Sequence, residues 1–109
     1  MTGKISADLL RGHTDTIILN MLQKRDCYGY DVYKRIKEVS GGRFELKEPT
    51  LYAALRRLEQ EGKILSYWGS ETQGGRRKYL KITAAGTELL HTNLENYRFA
   101  SKILAELLG

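Results

Sequence analysis

Arg56-Arg57 and Arg76-Arg77-Lys78 are the residues of this chain best equipped to bind by charge. A guanidinium presents a planar fork of N–H donors that fits phosphate oxygens or the O6/N7 edge of guanine, and an ammonium adds a less directional cation. Each cluster is preceded by residues that would place it. Upstream of the first, Thr50, Tyr52 and Ala53 offer a hydroxyl, a phenol and a methyl, suited to a phosphate, a base edge and a thymine methyl. Ahead of the second stand Gly74 and Gly75, which allow a sharp turn at a hairpin tip. Arg56 is placed for guanine or phosphate, while Arg57 is nearer the flank and suits backbone positioning. The chemistry implied is recognition of phosphodiester and base edges, with no covalent step. Because strand residues alternate, Arg76, Arg77 and Lys78 cannot all point the same way.

Catalytic chemistry lacks its parts. His13 and His91 are isolated, the acids mostly intersperse with bases, and no phosphate-binding loop of the Walker type occurs. Cys27 is the only cysteine, which excludes an intrachain disulfide and a thiol-rich metal site, and reads as a small buried hydrophobe. The chain is expected to be no enzyme and to need no cofactor or metal.

The charge distribution agrees with a localised binding face. The whole chain has 18 Lys/Arg against 13 Asp/Glu, net +5, and residues 29–82 hold 12 and 7 of these. The excess therefore lies in the segment carrying the basic clusters. At 109 residues and 41% apolar content, the chain suits one small domain with an appendage. It has no apolar run fit to cross a bilayer and no leader pattern, so a soluble, cytoplasmic protein without membrane partners is expected.

The elements that must position these residues follow from periodicity. Leu51, Ala54, Leu55 and Leu58 form an apolar stripe, with Pro49 fit for a helix start and Gly62 for its stop; Pro49, Tyr52, Ala53, Arg56 and Gln60 face away. Residues 63–69 and 76–82 are rich in β-formers around turn chemistry and read as a hairpin, with Tyr67, Trp68 and Tyr79 as cross-strand packing. Upstream, a first helix is expected over 6–24, with Gly12, Thr16, Leu19 and Gln23 opposite its main stripe. A shorter helix over 30–39 and a brief strand over 43–47 follow. The fold class is thus mainly α with a small β-hairpin. Residues 1–82 form a winged helix-turn-helix DNA-binding domain, and residues 83–109 a long C-terminal dimerisation helix.

That last helix has a wide apolar face, with Leu90, Leu94, Tyr97, Ser101, Leu104 and Leu108 at alternating four- and three-residue steps. A second copy of the same helix under two-fold symmetry would cover it; folding back onto its own domain is the alternative.

Tyr28-Gly-Tyr-Asp-Val, Thr50-Leu-Tyr-Ala-Ala-Leu-Arg-Arg-Leu-Glu-Gln-Glu-Gly and Gly74-Gly-Arg-Arg-Lys-Tyr-Leu-Lys-Ile-Thr-Ala-Ala-Gly resemble the PadR family of transcriptional regulators. Short members that bind multiple drugs look most similar. The resemblance implies a homodimeric repressor on a palindromic operator, relieved by a small planar aromatic effector enclosed at the dimer interface. It would place Leu9, Gly12, Asp15, Thr16, Asn20, Asn93, Tyr97 and Ser101 around that ligand. Tyr97 stands where such members carry a stacking tryptophan, and Ser101 where they carry a carboxylate. The alternative is a winged-helix protein-interaction module without sequence-specific DNA binding.

Overall fold

The computed structural model describes residues 3–69 and 77–109. Helix α1 (Ala7–Leu10) and a 3₁₀ turn (Arg11–His13) lead into α2 (Thr14–Lys24); strand β1 (Cys27–Tyr28) precedes α3 (Gly29–Val39) and α4 (Glu48–Gln60). Strands β2 (Ile64–Trp68) and β3 (Lys78–Ile82) form the hairpin, and α5 (Ala84–Leu108) closes the chain. The sheet has the antiparallel order β1-β3-β2, with Cys27 opposite Leu80 and Tyr67 opposite Tyr79. This is a winged helix domain with a long C-terminal helix.

The core confirms the stripe on α4. Leu51, Ala54, Leu55 and Leu58 are all buried, against Ile18, Leu19 and Leu22 of α2, Val32 and Ile36 of α3, and Ile64 and Leu80 of the sheet. Leu19, expected opposite the main stripe of the first helix, is fully buried, because α2 lies centrally and touches α3, α4, β3 and α5. The expected single helix over 6–24 is broken at the 3₁₀ turn, which contains Gly12, a poor helix former.

Residues 43–47 form no strand. Their alternation is real as a burial pattern, with Phe44 and Leu46 in the core and Arg43, Glu45 and Lys47 exposed. Instead, the third strand is the short β1 before α3.

The junction between wing and α5 is tight. Thr83 caps α5 by accepting from the Gly86 N–H at 3.1 Å, and its hydroxyl donates to the Gly62 carbonyl at 2.7 Å. A Cβ on Gly86 would stand 2.0 Å from the Lys63 carbonyl oxygen, so the first turn of α5 lies directly on the backbone entering β2. Leu90, one turn further, is 0% exposed. Beyond Tyr97 the helix leaves the domain, and Leu107 and Leu108 are 77% and 78% exposed. The molecule is correspondingly elongated, 56 × 32 × 21 Å.

Candidate nucleic-acid interface

Helix α4 buries its apolar stripe within its own chain and leaves Thr50, Tyr52, Ala53 and Arg56 on the outside. Tyr52 does not wave freely. A Cβ at Gly29 would meet its ring carbon Cε1 at 2.8 Å and Leu55 Cδ1 at 3.4 Å, so glycine at the first position of α3 is what lets Tyr52 lie across that helix start. Partial burial there pushes the Tyr52 phenol upward, with the Glu48 carboxylate and Tyr30 adding to the shift. Tyr52 therefore stays a neutral hydroxyl donor at physiological pH.

A cleft of about 540 Å³ runs between α4, the start of α3 and the wing, lined by Tyr28, Gly29, Tyr30, Asp31, Tyr52, Arg56, Glu59, Arg77 and Lys78 among others. Its α3 side was not among the expected contacts, although Tyr28-Gly-Tyr at a helix start was the available signal. Tyr30 is exposed and Lys34 Nζ sits 5.9 Å from its ring centroid. Asp31 accepts from the Tyr28 N–H at 3.4 Å, fixing the start of α3.

The wing supplies cations held by aromatic faces. Tyr28, Tyr79 and Tyr67 line up across β1, β3 and β2, with centroids 4.4 and 5.4 Å apart and the Tyr28 hydroxyl donating to that of Tyr79 at 2.9 Å. Arg77 Cζ lies 5.3 Å from the Tyr28 centroid and Lys78 Nζ 5.8 Å from that of Trp68. The expected contacts Gly75 and Arg76, with Gly74, lie outside the described residues.

Arg57 departs from expectation. Its guanidinium donates to both Asp15 carboxylate oxygens, at 3.0 and 2.6 Å, and lies 3.6 Å from Glu61. Those hydrogen bonds hold Arg57 still more firmly protonated than usual. Its fork is thus spent on its own chain rather than presented as a backbone contact, and Arg56, its neighbour, makes no ion pair among the described residues. With Asp15, Arg57 lines a second cleft of about 570 Å³ on the other side of α4, together with Arg11, Gly12, Thr14, Thr50 and Ala53. Within the chain, Asp15 at the start of α2 and Gly12 in the 3₁₀ turn both line this α4-side cleft.

The opposite side of α2 faces α5 across a cavity of about 310 Å³, lined by Leu10, His13, Thr16, Ile17, Asn20, Leu94 and Tyr97. Thr16, Asn20 and Tyr97 are there as expected, and Asn93 donates to the Thr16 hydroxyl at 3.0 Å. His13 meets Tyr97 edge-on, with ring centroids 5.5 Å apart. Leu9 and Ser101 are exposed and outside this lining. Of the residues expected at a dimer contact, Leu90 is fully enclosed by its own core, whereas Leu104 and Leu108 are exposed.

Among the described residues, no helix is long and apolar enough to cross a membrane, and no group of three or more His, Cys, Asp or Glu could hold a metal ion. The profile of the Transcriptional regulator PadR-like family matches residues 18–92. A Lysinibacillus sphaericus protein described as uncharacterized is 36% identical over 100 residues, 92% of either chain. A transcriptional regulator from Clostridium thermocellum is similar in structure, with TM-score 0.86 and 40% identity over 94% of this chain and 96% of that one. A PadR family transcription regulator from Clostridium difficile gives a TM-score of 0.79 and 39% identity, over 89% and 99% of the two chains. With a match that spans the central helices, the wing and the start of α5, this chain belongs to the PadR-like family of transcriptional regulators.

Proposed function

We propose that the protein is a transcriptional repressor that binds a palindromic operator as a homodimer and is relieved by a small planar aromatic effector. The observation that carries the DNA reading is α4 itself. Its apolar stripe is buried by its own chain, while Thr50, Tyr52, Ala53 and Arg56 remain exposed, with Tyr52 and Arg56 lining a cleft that ends in Arg77 and Lys78. A helix so arranged enters a major groove with its N-terminal half against base edges, and the wing meets the flanking backbone. Gly75 and Arg76, outside the described residues, are proposed as DNA contacts from sequence alone. Residues 1–82 act as the reader and 83–109 as the dimer arm, with Tyr97, Leu104 and Leu108 among the contacts with the second copy.

The effector reading rests on the cavity between α2 and α5, where Tyr97 gives a flat face, Thr16 and Asn20 give polar edges, and Asn93 holds the Thr16 hydroxyl. Two-fold pairing of α5 would set two such cavities side by side.

Selection of duplexes from a random pool tests the DNA reading. The expected product is an imperfect palindrome with half-sites about one helical turn or a multiple apart, bound with an affinity that falls steeply with salt. Arg56→Ala should weaken binding and blur site preference. A pool that yields no preferred duplex would favour a protein-interaction module instead.

A further inference from the structure

The cations on the two sides of α4 are treated differently. On the wing side, Arg77 and Lys78 lie over aromatic rings and pair with no carboxylate among the described residues. On the α2 side, Arg11 pairs with Asp8, and Arg57 is forked onto Asp15 with Glu61 nearby. Yet the α2-side cleft has what a backbone phosphate would meet: the Thr50 and Thr14 hydroxyls, Arg11 and Arg57, beside the exposed start of α4.

A carboxylate and a phosphate offer a guanidinium the same paired oxygens. From this geometry we infer that Asp15 is a specificity-determining residue, an internal substitute for phosphate that holds Arg57 away from DNA and so restrains sequence-independent binding. The pair joins residues 42 positions apart, with Asp15 on α2 and Arg57 on α4. Because both are fixed on packed helices, the carboxylate is always at hand, and a phosphate must displace it before it can use the fork. The specific complex keeps its base contacts through Tyr52, Ala53 and Arg56, none of which hydrogen-bonds to the pair. Non-specific binding rests on phosphate contacts alone, so it is the term that loses one contact per subunit.

The inference rests on α4 being the DNA-reading helix, and the test separates the two. Affinities for a selected duplex and for an unrelated one are measured across a KCl series for wild type, Asp15→Asn, Arg57→Gln, the double variant and Arg56→Ala, with thermal melts alongside. Asp15→Asn should bind the unrelated duplex roughly tenfold more tightly, with a salt slope steeper by about 1 per subunit, so that preference for the selected duplex shrinks. The double variant should return to wild-type values, and Arg57→Gln alone, which leaves the Asp15 carboxylate uncompensated, should bind the unrelated duplex no more tightly than wild type. Should Asp15→Asn fail to fold, Asp15→Ser takes its place with the same outcomes expected. Unchanged or weaker non-specific binding by a folded Asp15 variant overturns the inference, as does a gain that persists in the double variant. Loss of preference in Arg56→Ala alongside either result leaves the DNA reading in place. Absence of salt-dependent binding by wild type to any duplex removes both.

Discussion

Helices α4 and α5 are both amphipathic, but α4 is completed by its own chain whereas α5 is completed only as far as Leu94. Each apolar residue of the α4 stripe is buried, and what remains outside is short, polar or basic. On α5 the stripe starts inside the core at Leu90 and then runs out into solvent through Tyr97, Leu104 and Leu108, with Phe99 and Leu107 also exposed. A long apolar face left open on one chain marks an interaction surface. The α4 helix is thus complete within one chain, whereas the outer part of α5 leaves apolar surface open.

That contrast can be broken at the two ends of α5. Leu90→Ala should lower folding stability by about 2–5 kcal/mol, as for other buried leucines, and should do so at any protein concentration. Leu104→Ala should leave that intrinsic stability nearly unchanged and instead make the denaturation midpoint more dependent on protein concentration. Denaturant titrations at two protein concentrations check both. Equal, concentration-independent losses would mean that α5 is one structural unit within a single chain.

The cavity between α2 and α5 sharpens the comparison, since it lies where the buried and open parts of α5 meet. Tyr97→Ala should weaken a planar aromatic dye by about 1 kcal/mol, with Tyr97→Trp strengthening it, as read by dye fluorescence or calorimetry. The same dye affinity in all three proteins would remove stacking on Tyr97 from the account.

The smallest effect concerns Cys27, buried in β1 at the edge of the sheet. Burial pushes its thiol above the ordinary value of 9.0, and the Asp31 carboxylate adds to the shift. The folded state thus holds the proton more tightly than the unfolded one. Its contribution to stability is full below about pH 9 and is lost as the pH rises through and beyond that value. Cys27→Ser or Cys27→Ala should flatten the alkaline fall in stability by a small amount, measured by denaturant midpoints between pH 8 and roughly 10.5. An identical fall in the variants would assign it to other groups.

The reader was legible in sequence because its signal is local. Pro49, the α4 stripe and the β-forming runs around the wing are each defined by spacing within one element, and the structure keeps them all. The parts that escaped depend on contacts between elements. Nothing in the run Arg56-Arg57 says that one guanidinium stays open while the other turns back to Asp15, 42 residues earlier. Leu90 and Leu104 look alike in a helical repeat, and only the placement of α5 on α2 and the wing separates them. Likewise Phe44 and Leu46 alternate like a strand, although they are plugs in a connecting segment. The third strand, only two residues long at Cys27–Tyr28, is too short to leave a periodic trace.

The most direct test of the central claim is the sedimentation of the intact protein, free and on a duplex bearing one selected palindrome, beside Leu104→Asp. The account predicts that the free wild-type protein is a dimer at micromolar concentration and that it binds as two chains per duplex. Leu104→Asp should stay folded, because the reader is complete in one chain, but should sediment as a monomer and bind a half-site only weakly. A folded wild-type monomer that occupies the duplex one chain at a time, with affinity unaffected by Leu104→Asp, would contradict it.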